Sequence, residues 1–482
     1  WGADGVLYSP FTDGTVGDPR SSSYSAEHGG FTVGYATITG DDPLDLDVQD
    51  PGLIPSPPEP YGGRYPCGGL MHDGTWYIGT YGLMNKDYGL NWPVLGPCAG
   101  FHVSTDRGKN WTRSPHSCEP GDTLFPEPEE KGGPVKLGAP HFVDFGKNMR
   151  HSPDGKAYLV GHGATERDEE DRKANLSWIS GDQIYMCRVK PGPKRINDEA
   201  AYEYFAGRGE DGKPRWSRDF EDIEPLIDWD NNCGCVTATY NPGLDKYLMC
   251  ITDGWPTVKK MNTYILEADR LTGPWRLVTY MRNFGEQAYF VNVPSKFIGS
   301  DGKSAWLCYA SNFTDTEHEK WESQPPGSEY AMSLHEVRLL TGPDRSEPTP
   351  LRSTRNLARR ADLRASSTHP DYYTSGAIDG RVEGYPDDIH AEWATNGGGE
   401  GANLQLRWHE PVTISRVQLF DRPNKLDHVS AGLLIFSDGS TIRTRGLPDD
   451  ASRGVEVTFE PRRVEWMTFM VLGIEGEREN IG

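Results

Sequence analysis

Residues 138–163 read GAPHFVDFG, then a turn at Pro153-Asp154-Gly155, then KAYLVGHG. An apolar run closes on a turn triplet and a second run rich in aromatic and β-branched residues returns. That is the signature of two antiparallel strands. The pattern recurs. Residues 235–254 read CVTATYN, a turn at Pro242-Gly243, then KYLMCITDG, and residues 288–312 read AYFVNVPSKFI, a turn at Asp301-Gly302, then SAWLCYASN. Units of this kind return roughly every 50 to 75 residues through position 342, which predicts radially arranged sheets, a β-propeller. The expected fold class is all-β: a five-bladed β-propeller followed by a β-sandwich of jelly-roll type.

Five units are expected: about 1–60, 63–116, 137–219, 230–282 and 285–342. Residues 164–175, rich in Glu, Asp and Arg, read as a solvated insertion. Residues 343–355 are Pro-rich and polar, the composition of a linker between a propeller at 1–342 and a second domain at 356–482. That second domain holds NLQLRW, TISRVQLFD, AGLLIFSDGSTIRTRG, GVEVTFEP and WMTFMVLGI, which alternate apolar and polar residues as half-buried strands do.

The bulk composition agrees. The chain has 482 residues with 35% apolar residues, 56 Gly and 37 Pro, which suits short strands and many turns. Its net charge of −22 comes without a basic stripe, so no nucleic-acid partner is expected. No apolar run is long enough to span a membrane. Phosphate loops, dinucleotide fingerprints, HExxH and GxSxG are absent. No cofactor is expected to be required, and a structural Ca²⁺ is compatible with either domain. The eight cysteines fit no zinc pattern. Cys67, Cys98 and Cys118 are close in sequence, and one disulfide is expected among them.

Ser104-Thr-Asp106-Arg-Gly108-Lys-Asn-Trp111 matches S-x-D-x-G-x-x-W and resembles the Asp-box turn of sialidase-type propeller blades. Its Ser and Asp satisfy turn amides and its Trp packs between sheets, so its role is structural. Gly273-Pro274-Trp275 after ILEADRLT resembles a blade end of five-bladed furanoside-cleaving glycosidases. AAYEYFAG at 200–207, WSRDF at 216–220 and VTATYNPGLDKYLM at 236–249 resemble the endo-D-arabinanase propeller family, as does the opening WGADGVLYSPFTDG. The likeness lies in scaffold, and it implies a glycoside hydrolase acting on arabinan-type furanosides. NLARRADLRASS at 356–367, SGAIDGR at 375–381 and EWAT at 392–395 resemble discoidin-type (factor 5/8 C-like) modules, which implies a glycan-facing second domain lacking its last strand. Domains of these types imply a secreted, extracellular protein.

In a propeller the start of each first strand and the end of each second strand emerge on one face, because neighbouring strands are antiparallel. That face is expected to carry Asp13; Arg64, Tyr65 and Tyr81; His141 and His162; Asp230, Asn231, Asn232 and Asp253; and Glu286, Gln287 and Asn312. Carboxylates, imidazoles and amides around one funnel suit an oligo- or polysaccharide substrate. Glycoside hydrolysis needs two carboxylates. Glu286 is the expected general acid, with Asp13 or Asp230 as base. His141, His162, Arg64, Tyr65, Tyr81, Asn232, Asp253 and Gln287 are expected to bind substrate. Asp13 and Asp253 each precede Gly, so turn capping is an equal alternative. A lyase using Arg64 with a histidine or tyrosine base is the runner-up. A lectin-like protein without catalysis is the third reading. Sialidase chemistry is disfavoured, since the three arginines that clamp a carboxylate are missing from these positions.

Overall fold

The computed structural model describes residues 1–16, 20–21, 33–54, 65–84, 94–119, 121–127, 134–164, 180–209, 211–229, 232–254, 261–282, 284–285, 288–311, 331–342, 349–351, 356–380, 389–422, 426–449, 453–476 and 480–482. Among these residues every regular element is a strand or a short 3₁₀ helix. The chain separates into two compact units. One is Trp1–Trp275 with Met281–Arg345, and the other is Ser346–Gly482 with Arg276–Tyr280.

Among the described residues of the first unit, five antiparallel sheets of three or more strands follow one another in chain order, with a two-stranded sheet of Gly14–Thr15 and Arg20–Ser21 inserted in the first. The first contains Leu7–Phe11, Val33–Thr39 and Asp47–Ile54. The second contains Tyr65–His72, Thr75–Met84 and Val94–Ser104. The third runs Gly138–Phe142, Ala157–Gly163, Gln183–Val189, Tyr202–Arg208 and Pro214–Ser217. The fourth opens Cys235–Asn241, Lys246–Asp253 and Asn262–Ala268. The fifth contains Tyr289–Asn292, Ser304–Ser311 and Ala331–Arg338. The turn triplets of the sequence sit where the hairpins close, with Gly155 and Gly302 at φ 71°.

First strands of successive sheets lie beside one another: Leu7–Phe11 on Tyr65–His72, that on Gly138–Phe142, then Cys235–Asn241, then Tyr289–Asn292. Close approach needs small residues. A Cβ on Gly68 would come within 2.6 Å of the His141 Cα, so only glycine fits there. Side-chain and backbone bonds join neighbouring sheets. Thr237 Oγ1 donates to Val291 O at 2.7 Å and Thr239 Oγ1 to Val293 O at 2.8 Å. Asp144 N donates to Ala238 O, and Tyr240 N to Asp144 O. The fifth sheet is tied back to the N-terminus. Trp1 Nε1 donates to Ser295 Oγ at 2.9 Å, and Lys296 Nζ to Gly5 O at 2.8 Å.

Apolar clusters fill the gaps between sheets. Tyr35 of the first sheet and Trp76 of the second are buried, and their rings lie 5.5 Å apart. Phe101 and Phe142 join the second and third sheets at 5.4 Å. The Asp-box forms as its residues dictate. Gly108 N donates to Ser104 Oγ and Asn110 N to Asp106 Oδ1, both at 2.8 Å, while Trp111 packs against Trp76 and Tyr35. The expected disulfide does not form. No disulfide joins any of the eight cysteines, and Cys67, Cys98 and Cys118 are buried, where a thiol packs as a small apolar group.

In the second unit the strands are ordered Asp362–Ala365, Asn403–Leu419, Val455–Gly476, Asp427–Phe436, Thr441–Thr444. Two of them are long, 17 and 22 residues. Their pairing shifts register between Arg407 and Val412 and between Ile414 and Arg416. Such bulges are where a long strand bends from one layer of a sandwich to the next. One core gathers Trp393, Leu404, Leu406, Trp408, Leu434 and Phe436. A second gathers Val429, Leu447, Val455, Val471 and Ile481.

Candidate functional site

Tyr65 starts the first strand of the second sheet and pairs in register with Tyr81 near the end of the next strand. Antiparallel pairing therefore brings both phenols to one end of the sheet. Both are buried, and the rings are 5.6 Å apart. Burial pushes the Tyr81 phenol well above its usual range, and the neighbouring Cys235, Tyr65, Cys67 and Asp13 push it further. Those four neighbours come from the fourth, second and first sheets. Asp13 is exposed and lies between the strands Leu7–Phe11 and Gly14–Thr15, and its φ of 54° is left-handed.

His141 lies within Gly138–Phe142 and pairs with Val160. Its ring meets that of Phe290 at 4.8 Å, tilted 34°. These residues belong to the third and fifth sheets, so the pair spans the first strand of the fourth. His141 Nδ1 donates to Ala139 O at 2.8 Å, which fixes the Nδ1–H tautomer and makes Nε2 an acceptor. Burial pulls its pKa down to about 4, so the ring is neutral at neutral pH. The Cys235 thiol, pushed up by burial, is hydrogen-bonded with the Phe290 backbone. Ala139 and Phe290 are left-handed at φ 42° and 49°. Asp13, Ala139 and Phe290 are three of the nine described non-glycine residues with positive φ.

A second polar group lies at the strand ends of the third and fourth sheets. Asp253 closes Lys246–Asp253 and is 1% exposed, so it does not cap a solvent-facing turn. Tyr264 Oη donates to Asn232 Oδ1 at 2.9 Å and approaches Asp253 Oδ2 at 3.4 Å. Trp229 packs on Tyr264 at 4.7 Å, and Trp229 N donates to Asp182 O. His162 is fully buried and pairs with Gly138 and Ile184 at the end of its strand.

The structure thus associates Asp13 with Tyr65 and Tyr81, and Asn232 with Asp253. Glu286, Gln287, Asp230 and Arg64 lie outside the described residues, as do Asn231 and Asn312. Sequence reasoning missed Tyr264, Phe290 and Glu127. Tyr264 sits in TYILEAD, a third strand whose alternating pattern reads as scaffold. Phe290 sits in an apolar strand whose left-handed φ has no sequence signal. Glu127 sits in LFPEPEE, which resembles a solvated acidic loop, yet its carboxylate is 8% exposed. Glu127 Oε2 accepts from Lys136 N and Oε1 from Leu137 N, both at 3.0 Å. Burial outweighs those two amides and raises its pKa to about 7.

No group of three or more metal-ligating side chains occurs among the described residues, and none of their helices is long and apolar enough to cross a membrane. In the second unit, Arg422 Nη2 donates to Asp427 Oδ2 at 2.9 Å and to Asn480 O at 2.9 Å. Beside them a cavity of about 400 Å³ is lined by His428, Ser430, Leu447, Asp449 and Glu475.

Residues 356–482 match the model of a family described as a domain of unknown function, DUF7402. No curated protein matches the chain. Among solved structures, one titled a glycoside hydrolase is 11% identical, covers 99% of this chain and 94% of its own, and superposes with a TM-score of 0.35. An exo-β-1,3-galactanase from Phanerochaete chrysosporium with β-1,3-galactotriose is 12% identical over 89% of this chain and 95% of its own, TM-score 0.26. The family 32 CBM from C. perfringens NanJ in complex with galactose is 15% identical over 26% of this chain and 92% of its own, TM-score 0.22.

Proposed function

We propose that the protein is a glycoside hydrolase whose site lies where the first strands of its five sheets converge, and that these sheets are the blades of a propeller. One observation carries the reading: at one end of these strands Tyr65 and Tyr81 of the second sheet lie 5.6 Å apart and cluster with Ala139 of the third, whose neighbour His141 meets Phe290 of the fifth at 4.8 Å. A carboxylate beside two buried phenols, with a neutral imidazole acceptor on a neighbouring strand, is equipment for a hydroxyl-rich ligand. In this reading Asp13 or Asp230 is the base or nucleophile and Glu286 the acid. Their separation decides the outcome, roughly 5 Å for retention and 6.5–9.5 Å for inversion. His141 accepts a sugar hydroxyl at Nε2, and the Asn232–Tyr264–Asp253 group steadies the adjoining wall. Arabinan-type furanosides are the favoured substrates and the second unit a glycan anchor, with the protein acting outside the cell.

A glycan panel spanning arabinans, galactofuranosides and uronate-capped arabinogalactans, read by product mass, tests this. Products that gain one water per cut support hydrolysis. Unsaturated products lacking that water indicate a lyase, and unchanged glycans that still bind indicate a lectin.

A further inference from the structure

Ala139 lies in a cluster with Tyr65, Cys67 and Tyr81, and its left-handed φ of 42° is disfavoured for a residue with a Cβ. It is held from both sides. Upstream, Lys136 N and Leu137 N both donate to the Glu127 carboxylate. Downstream, the Ala139 carbonyl accepts from His141 Nδ1. One carboxylate thus anchors the entry to a strained strand, and one imidazole anchors its exit.

We propose that Glu127 is a positioning residue that, when ionised, clamps the entry to strand Gly138–Phe142 and thereby seats Ala139 and His141 at the site. Only the carboxylate form suits the clamp. Two N–H donors need two acceptors, and a protonated carboxyl turns one oxygen into a donor. The groups that act on Glu127 are few. The Lys136 ammonium and the two amides favour its charge, while burial and Glu221 oppose it. Its charge in turn raises the Cys98 thiol and the Tyr204 phenol. The balance leaves it titrating at about 7. Clamping is therefore complete above that pH and is released as pH falls through it. This inference rests on the glycosidase reading for its consequence in turnover, but not for the coupling itself.

The test follows the His141 ring nitrogens by NMR in the full chain between pH 5.5 and 8.5, alongside glycan turnover. The wild type should show a His141 shift with a midpoint near 7, distinct from the ring's own titration. In Glu127→Gln that shift should vanish, and turnover should drop by on the order of 10- to 100-fold, the scale of a small misplacement. Adding Ala139→Gly, which relieves the left-handed strain, should restore much of the loss, as a merely structural defect would not allow. Should Glu127→Gln fail to fold, Ala139→Gly alone serves: its His141 shift near pH 7 should be weakened. Identical His141 behaviour in the wild type and Glu127→Gln, or an unchanged shift in Ala139→Gly, overturns the proposal. A Glu127-dependent shift in a protein that cleaves no glycan upholds the coupling and removes the glycosidase reading.

Discussion

Asp144 and Ser295, 151 residues apart, are joined twice: Ser295 N donates to Asp144 Oδ2 at 2.8 Å, and Ser295 Oγ donates to Asp144 Oδ1 at 2.7 Å. Asp144 also accepts from Gly146 N at 2.9 Å. Ser295 Oγ in turn accepts from Trp1 Nε1. One carboxylate therefore links the third sheet, the fifth sheet and the N-terminus. Asp144→Ala leaves those donors without their acceptor and should cost about 2 kcal/mol. Urea unfolding followed by tryptophan fluorescence measures it. Asp144→Asn, which retains one acceptor oxygen, should lose less. An alanine variant as stable as the wild type would show that the link contributes nothing.

The Asp-box makes a pH prediction. Hydrogen bonds from Asn110 and Ser104 hold the Asp106 carboxyl down at about 2. A depressed carboxylate stabilises the fold above its unfolded pKa and loses that contribution as pH falls through the folded value. The window is therefore from about 4 down to 2. Asp106→Asn should flatten the stability curve there and lower it near neutrality, where the contribution of the carboxylate is fully present, as thermal melts from neutral to acid pH would show.

His141 makes the opposite kind of prediction. Its folded pKa of about 4 lies below the unfolded value of 6.5, so the unfolded chain binds the extra proton first. Stability should fall as pH drops from 6.5 to 4, by up to about 3 kcal/mol. His141→Gln should remove that slope. It should also weaken glycan binding, because the acceptor Nε2 and the ring against Phe290 are both lost. Equal slopes in the two proteins would mean that His141 is not held neutral by burial.

The hydrophobic gaps between sheets should be costly to open. Trp76 is fully buried and lies 4.8 Å from Tyr8, 5.5 Å from Tyr35 and 5.3 Å from Trp111. Trp76→Ala should destabilise by about 3–5 kcal/mol. Trp76→Phe, which fills much of the space, should cost far less. Chemical denaturation of the two variants separates packing from a specific role for the indole.

Much of this was legible in the chain because strands and turns leave local marks. Turn triplets such as Pro153-Asp154-Gly155 and the pattern CVTATYN fixed sheet edges and faces. The Asp-box residues carried their own hydrogen bonds. Tyr65 and Tyr81 could be placed at one end of one sheet, since antiparallel pairing alone requires it. Asp253 looked as much like a turn cap as a site residue, since burial of a strand-end carboxylate depends on a tyrosine from the next strand. Phe290 and Ala139 were invisible, because left-handed φ in an apolar residue is imposed by tertiary packing. Glu127 was hidden for a similar reason: an acidic loop carries no sign that one carboxylate folds inward onto two amides. The cysteine spacing suggested a bridge, but the three side chains are buried with no disulfide between them.

Asp13 is proposed to work beside Tyr65 and Tyr81 in one glycan-cleaving site. The most direct measurement is turnover of the best glycan substrate by the wild type and by Asp13→Asn, Glu286→Gln and Asp230→Asn, with product masses recorded in ¹⁸O-labelled water. Label is expected in the products of the wild type, with a loss of about 10²–10⁴ in kcat for Asp13→Asn or Asp230→Asn and for Glu286→Gln, folding intact. Full activity in all three variants, or products that carry no label, would contradict it.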